Sequence, residues 1–248
     1  MWYVGGADKM FGRYSRIIRT SRDNGNIWRI FTDLLSTILL FILLFFIYTN
    51  AVKHAELDLQ QKQLKNLRLQ VEKVIGVRQS IIEDIRKSFQ NAGLDINIDK
   101  NTGDIVFSSD VLFEFNKADI RPEFKSNLDK FIPQYVNVLT SPKYISSVSE
   151  IVIEGHTDNI GDYNYNMDLS QKRANSIVNY ILNNNFKNLD SYSKENLKNI
   201  ITANGRSKSQ LIKNSDGSVN QEKSRRVIFK FRLKDEESIK QIDSILSK

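Results

Sequence analysis

The sequence predicts an α+β protein with a single N-terminal transmembrane helix, a helical linker and a βαβαβ-type sheet packed with helices. Three observations predict it. Leu34 to Tyr48 (LLSTILLFILLFFIY) is apolar and uncharged. Val52 to Gly93 contains no proline and places apolar residues at three- and four-residue steps. From Leu94 onward, short apolar runs alternate with stretches of helical spacing, which argues for one sheet with helices on it.

Composition bounds the function. The 248 residues include no cysteine and two histidines. That excludes a disulfide scaffold, a zinc ribbon, an iron–sulfur site, a thiol nucleophile and a His-rich metal centre. A hydrophobic share of 40% and a mean hydropathy of −0.39 exclude a polytopic membrane protein but allow one span. Of the net charge of +7, residues 1–32 carry +4, residues 51–93 carry +3 and residues 94–248 only +1, with Asp33 alone between the first two. The large domain is nearly neutral and shows no basic cluster, which argues against a nucleic-acid partner.

The uncharged run alone would reach about 22 Å as a helix, short of the hydrocarbon core. Extended back to Trp28 it reaches about 31 Å, and Trp28 and Tyr48 suit the two interfaces. This gives a basic tail over 1–27, a transmembrane helix over 28–50 and a linker over 51–93. The basic tail exceeds the mixed charge that follows the span. The N-terminus is therefore expected in the cytoplasm and the rest outside, in a single-pass cytoplasmic-membrane protein. A cleaved signal peptide is the alternative, with Thr49-Asn50-Ala51 as small residues at a cleavage site, but more than thirty residues precede the apolar run. Asp33 has two readings: a helix N-cap, or an ionisable group about one turn inside the membrane.

In the linker, Leu64, Leu67, Val71, Val74, Ile81 and Ile85 form a seam that Arg78 interrupts. It reads either as a coiled coil with a second copy or as a helix packed on its own domain. Residues 94–234 form the expected domain. Leu94–Ile98 alternates as a strand, 99–103 is a turn, Ile105–Ser108 returns, and Val111–Phe115 continues extended. Pro122 opens a helix. Ile151–Glu154 is a strand, Asp168 with Gln171 reads as the capping box of a second helix, and Ile200–Ala203 and Val227–Leu233 are the last strands. Residues 183–198 and 207–222 read as surface insertions. Residues 235–248 are a charged tail whose Ile239, Ile242 and Ile245 suggest a short helix.

Asp33-Leu34-Leu35-Ser36-Thr37, followed by an Ile/Leu/Phe run, resembles the span of MotB-type stator subunits. LFEFNKADIRPE (112–123), IEGHTDNIGDYNYNMDLSQKRANSIVNYI (153–181), Gly205-Arg206 and SRRV (224–227) resemble the OmpA-like peptidoglycan-binding domain. The first resemblance makes Asp33 the ion-carrying group, with Ser36 one turn along the same face, and the transported ion a proton or sodium. It implies two copies of the chain inside a ring of MotA-like multi-span partners, with a flagellar or a Zorya-type anti-phage output. The second implies that Asp158 and Arg173 clamp the diaminopimelate of the peptidoglycan stem peptide. Asn166 then lines the site, Asn116 falls in the first loop near it, and Arg225 is a further binding residue, with Ser224 in place of the usual Asn before it. A carboxylate suits the ammonium of diaminopimelate and a guanidinium its carboxylate. The alternative for Asp158 and Arg173 is a salt bridge that only ties loop to helix. His156 lacks a nucleophile in a recognisable elbow, and the family makes it a structural hydrogen bonder. The chain reads as no enzyme, with no cofactor and no metal. A passive wall tether, with Asp33 as a mere cap, is the rival to a motor subunit.

Overall fold

The computed structural model describes residues 8–234 and 236, with side chains from residue 27. The side chains of residues 1–26 and the helix expected around Ile239, Ile242 and Ile245 lie outside the described residues. The chain divides into two units, residues 1–67 and 68–248.

One helix, α1, runs from Asp8 to Asn91. Its residues from Ile27 on include a stretch long and apolar enough to cross a membrane, and none of that stretch is buried within the protein. The helix passes through Asp33 unbroken, so Asp33 is not an N-cap. In the second unit the last turns of α1 are core: Ile81, Ile82, Ile85 and Phe89 are at most 2% exposed. For these turns, packing on the chain's own domain is the reading that holds, and the compact unit starts at Arg68, well before residue 94. Arg78 breaks the apolar seam for a visible reason. Its guanidinium bonds the Thr102 carbonyl, pairs with Glu236 at 2.6 Å and lies over the Phe231 ring. A Schellman motif ends α1: Gly93 sits at φ +67°, its N–H donates to the Gln90 carbonyl, and the Leu94 N–H donates to that of Phe89.

The sheet has four strands in the order β1 (Ile105–Ser108), β4 (Arg226–Leu233), β2 (Val148–His156), β3 (Ile201–Gly205). β4 is antiparallel to both its neighbours, and β2 and β3 are parallel. The helices are α2 (Ser109–Leu112), α3 (Pro122–Leu139), α4 (Tyr163–Asn183), α5 (Ser191–Ile200) and α6 (Gln221–Ser224). Ile151 and Ile153 of β2 and Phe229, Phe231 and Leu233 of β4 share one core with Leu128, Phe131 and Ile132 of α3, Ala174 and Ile177 of α4 and the end of α1. Phe131 centres it, stacked on Tyr135 at 5.5 Å and edge-on to Phe229 at 5.0 Å.

Several expected elements differ. Leu94–Ile98 is not a strand, because only Ile98 bridges, to Ile105. Val111–Phe115 is not extended throughout. Ser108 caps the short α2 by accepting from the Asp110 N–H, and Phe113 alone bridges, to Ile120. Asp168 is not a cap: α4 begins five residues earlier, where Asp162 accepts from the Asn164 and Tyr165 N–H groups, and Asp168 pairs with Lys172 on the surface. Residues 183–198 are not merely superficial, since Phe186, Leu189 and Leu197 are buried and Asp190 caps α5. The 207–222 stretch folds back through a Lys213–Val219 bridge and a turn at Gly217. It is tied to the domain by Ser224 Oγ, which accepts from the Ile212 N–H.

Two glycines let α4 approach the sheet. A Cβ on Gly155 would overlap the Ser170 carbonyl oxygen, and one on Gly205 would stand 2.7 Å from the Gln171 nitrogen. Both obstacles are backbone and cannot rotate away. Gly155→Ala should therefore destabilise the domain by about 3 kcal/mol or more, the upper range for overpacking, read as a lowered urea midpoint of the full chain in detergent.

The alternate residues of β2 build a polar face. Glu150 meets Arg232 directly across the register, and Glu154 bonds Arg206 and pairs with Lys230 at 2.7 Å. Burial opposes ionisation of Glu154, but His156, Lys230 and Arg206 outweigh it and hold the carboxyl well below its usual range. Burial pushes His156 below its ordinary 6.5, against the pull of Glu154 3.6 Å away. The family resemblance makes His156 a structural hydrogen bonder, yet neither ring nitrogen has a hydrogen-bond partner among the described residues. Below pH ~6.5 the unfolded chain binds the His156 proton more readily than the folded one, so stability falls on acidification. Below ~4.5 the Glu154 contribution is lost as well. His156→Gln should flatten the first of these phases in urea unfolding between pH 7.5 and 5.

Candidate functional site

One pocket of about 520 Å³ opens where the α2–α3 connection, the β2–α4 loop, α4 and α6 meet. Asn116, Asp158, Asn166, Arg173 and Arg225 all line it. Each is held by local structure. Asn116 takes φ +57°, a left-handed conformation that Asn tolerates. Asp158 follows β2, and its Oδ1 accepts from the Ile160 N–H. Asn166 lies in the first turns of α4, buried, and its Nδ2 donates to the Ile160 carbonyl. That bond closes the β2–α4 loop, helped by Gly161 at φ +91°.

Arg173 comes from the same helix, two turns further on, and is 4% exposed. Its Nε donates to the Lys117 carbonyl, and its guanidinium lies over the Phe113 ring at 5.3 Å. No carboxylate among the described residues pairs with it. The expected alternative of an Asp158–Arg173 salt bridge is absent from the geometry. Asp158 pairs instead with Arg225, Nη1 to Oδ2 at 2.8 Å. Burial pushes the Arg173 guanidinium pKa below its ordinary value, although a guanidinium keeps its charge regardless.

Arg225 is the hub that the sequence undervalues. Its Nε and Nη2 grip Asp110 while Nη1 holds Asp158. Asp110 foremost and Asp158 next raise the Arg225 pKa, and Arg225 in turn holds Asp110 below the carboxylate range. Asp110 and Arg121 both line the pocket and were missed. Asp110 stands two positions before the first motif, and no local spacing links it to a residue 115 positions away.

The arrangement offers a buried cation without a carboxylate, a carboxylate beside it with lone pairs to spare, and amide groups between. That suits a zwitterionic ligand and needs no bond made or broken. Asp33 and Ser36 belong to the other unit; they sit three residues apart on α1, and no described residue pairs with Asp33.

Residues 112–225 match the OmpA family. Over 236 residues the chain is 28% identical to the Zorya protein ZorB of Escherichia coli, covering 90% of this chain and 93% of that protein. It is 43% identical over 81 residues to outer membrane protein A of Klebsiella aerogenes, which is 33% of this chain and 21% of that protein. Among solved structures, a MotB-like protein of Desulfovibrio vulgaris aligns at 17% identity with a TM-score of 0.45, covering 65% of this chain and 94% of that one.

Proposed function

We propose that this chain, a MotB-type protein with an OmpA-like domain, fastens the cytoplasmic membrane to peptidoglycan and passes ions at Asp33 as the B subunit of a MotA/MotB-type motor. The observation that carries the wall-binding half is Arg173: a guanidinium buried in a pocket, without a carboxylate, beside Asp158. A diaminopimelate end completes both, its carboxylate on Arg173 and its ammonium on Asp158. Asp158 retains acceptor capacity beside its bonds to Ile160 and Arg225.

The motor half rests on the resemblance around Asp33, on the apolar α1 segment, and on similarity to a ZorB along nearly the whole chain. That similarity favours a Zorya-type defence output over a flagellar one. The partners are a second copy of the chain and MotA-like multi-span subunits; the cargo is a proton or sodium ion. The N-terminus faces the cytoplasm and the second unit faces the wall. The protein acts by binding, not by catalysis. Co-sedimentation of the detergent-solubilised full chain with isolated sacculi tests the wall-binding half. Binding should saturate and be displaced by a free diaminopimelate-containing stem peptide.

A further inference from the structure

The pocket carries more positive charge than a diaminopimelate end answers. Its charged lining is Arg121, Arg173 and Arg225 against Asp110 and Asp158, a net of +1. Arg225 is already satisfied by both carboxylates. Arg173 is left for one ligand carboxylate. Arg121 remains. Its guanidinium makes no hydrogen bond or ion pair with any described residue, and its Nε is shut off from solvent with no partner. Buried N–H groups in native proteins rarely stay unpaired, and such a group calls for an explanation. Asp110 and Glu114 are close enough to feel the charge, yet neither bonds it.

The backbone fixes where Arg121 starts. Its N–H donates to the Leu112 carbonyl, and it precedes Pro122 with φ −58° and ψ 133°, the extended conformation that a following proline favours. It stands at the N-cap position of α3, but its side chain takes no part in capping. Neither core packing nor the helix end accounts for a guanidinium there.

We infer that Arg121 grips a second ligand carboxylate, so that the site takes a peptide with one ammonium and two carboxylates. This rests on the stem-peptide reading above. A diaminopimelate end brings one positive and one negative charge, and the pocket's excess of +1 then calls for one more anion. The stem peptide has two sources of it: the α-carboxylate of its γ-linked glutamate, and its C-terminal carboxylate. Either presents two oxygens to a fork of N–H donors. The consequence is selectivity. A wall whose stem peptides carry an amide at that position would be bound more weakly than one that carries the free acid.

The test uses the full chain in detergent and three synthetic tetrapeptides of the sequence alanine, γ-glutamate, diaminopimelate, alanine. One has both carboxylates free, one is amidated at glutamate, and one at the C-terminus. Wild type should bind one of the two amides about 10- to 100-fold more weakly than the free peptide, the range for a charge-assisted hydrogen bond, and which amide it is names the source. Arg121→Gln should bind the free peptide as weakly as wild type binds that amide, and should no longer distinguish the two. Arg121→Lys should restore part of the preference. If wild type binds the free peptide and both amides equally, Arg121 reads no carboxylate, while the stem-peptide reading stands. If wild type binds none of the three, that reading fails too.

Discussion

Arg173→Met should weaken binding to sacculi and to diaminopimelate peptides by about 100-fold or more, while the variant melts no lower than wild type. The first half follows from removing the donor fork that takes the diaminopimelate carboxylate; losing one member of a buried charge pair costs about 2–5 kcal/mol. The second half is the less intuitive one. Arg173 is 4% exposed, burial works against its charge, and no described carboxylate repays that penalty. Its Nε bond to the Lys117 carbonyl and its contact with Phe113 are modest compensation. Methionine keeps much of the volume without the charge, and buried ionic groups replaced by apolar ones of similar size are often neutral or stabilising. A guanidinium kept at the expense of stability points to a ligand. Peptide titration and thermal melting of the same sample check both halves. A melting temperature that fell by many degrees with binding retained would make Arg173 a structural tie.

Why this arrangement was only partly legible in the sequence follows from where the information lies. Pro122 opens α3 because proline suits a first helical position, and that is local. The Val227–Leu233 run becomes β4 because its alternation is local too. The motif residues Asn116, Asp158, Asn166, Arg173 and Arg225, scattered over 110 positions, line one pocket. What failed was decided by tertiary contacts. Asp168-x-x-Gln171 has a capping-box pattern, yet Gln171 instead accepts from the Gly205 N–H and donates to the Ala203 carbonyl, tying α4 to β3. The real cap, Asp162, lies before Tyr163 and Tyr165, which are exposed and leave no apolar stripe to mark the first turns. Phe186 and Leu189 sit among Asn and Lys, and nothing nearby shows that they reach the core. The Asp158 partner was not legible for the same reason: Arg225, 67 positions on and near only in space, holds the carboxylate, and the alternative salt bridge to Arg173 does not form.

Asp33→Asn should abolish ion flux in proteoliposomes that hold the chain with the MotA-like multi-span partner proposed for it, and leave peptide binding unchanged. The continuity of α1 makes this substitution informative. A cap would need Asp33 at a helix start, where its side chain receives orphan N–H groups; here the helix runs through from Asp8 and those groups are engaged elsewhere. The carboxylate therefore has no local structural task, and it stands roughly 7 Å along the helix from Trp28, ahead of the uncharged run. Placing an acid in that position costs about 2.5–3.5 kcal/mol near a bilayer centre and somewhat less towards its edge. Asparagine has nearly the same shape and is cheaper to insert, so fold and insertion should survive. What asparagine cannot do is take up a proton or offer a negative charge to sodium. Asp33→Glu keeps that capacity but moves it by one methylene, and should retain a reduced flux. Because Asp33 and the pocket lie in separate units, the two variants Asp33→Asn and Arg173→Met should each remove one activity and spare the other. Flux that survived Asp33→Asn would overturn Asp33 as the ion carrier, and a wild-type complex without flux would leave a wall tether whose span serves only as an anchor.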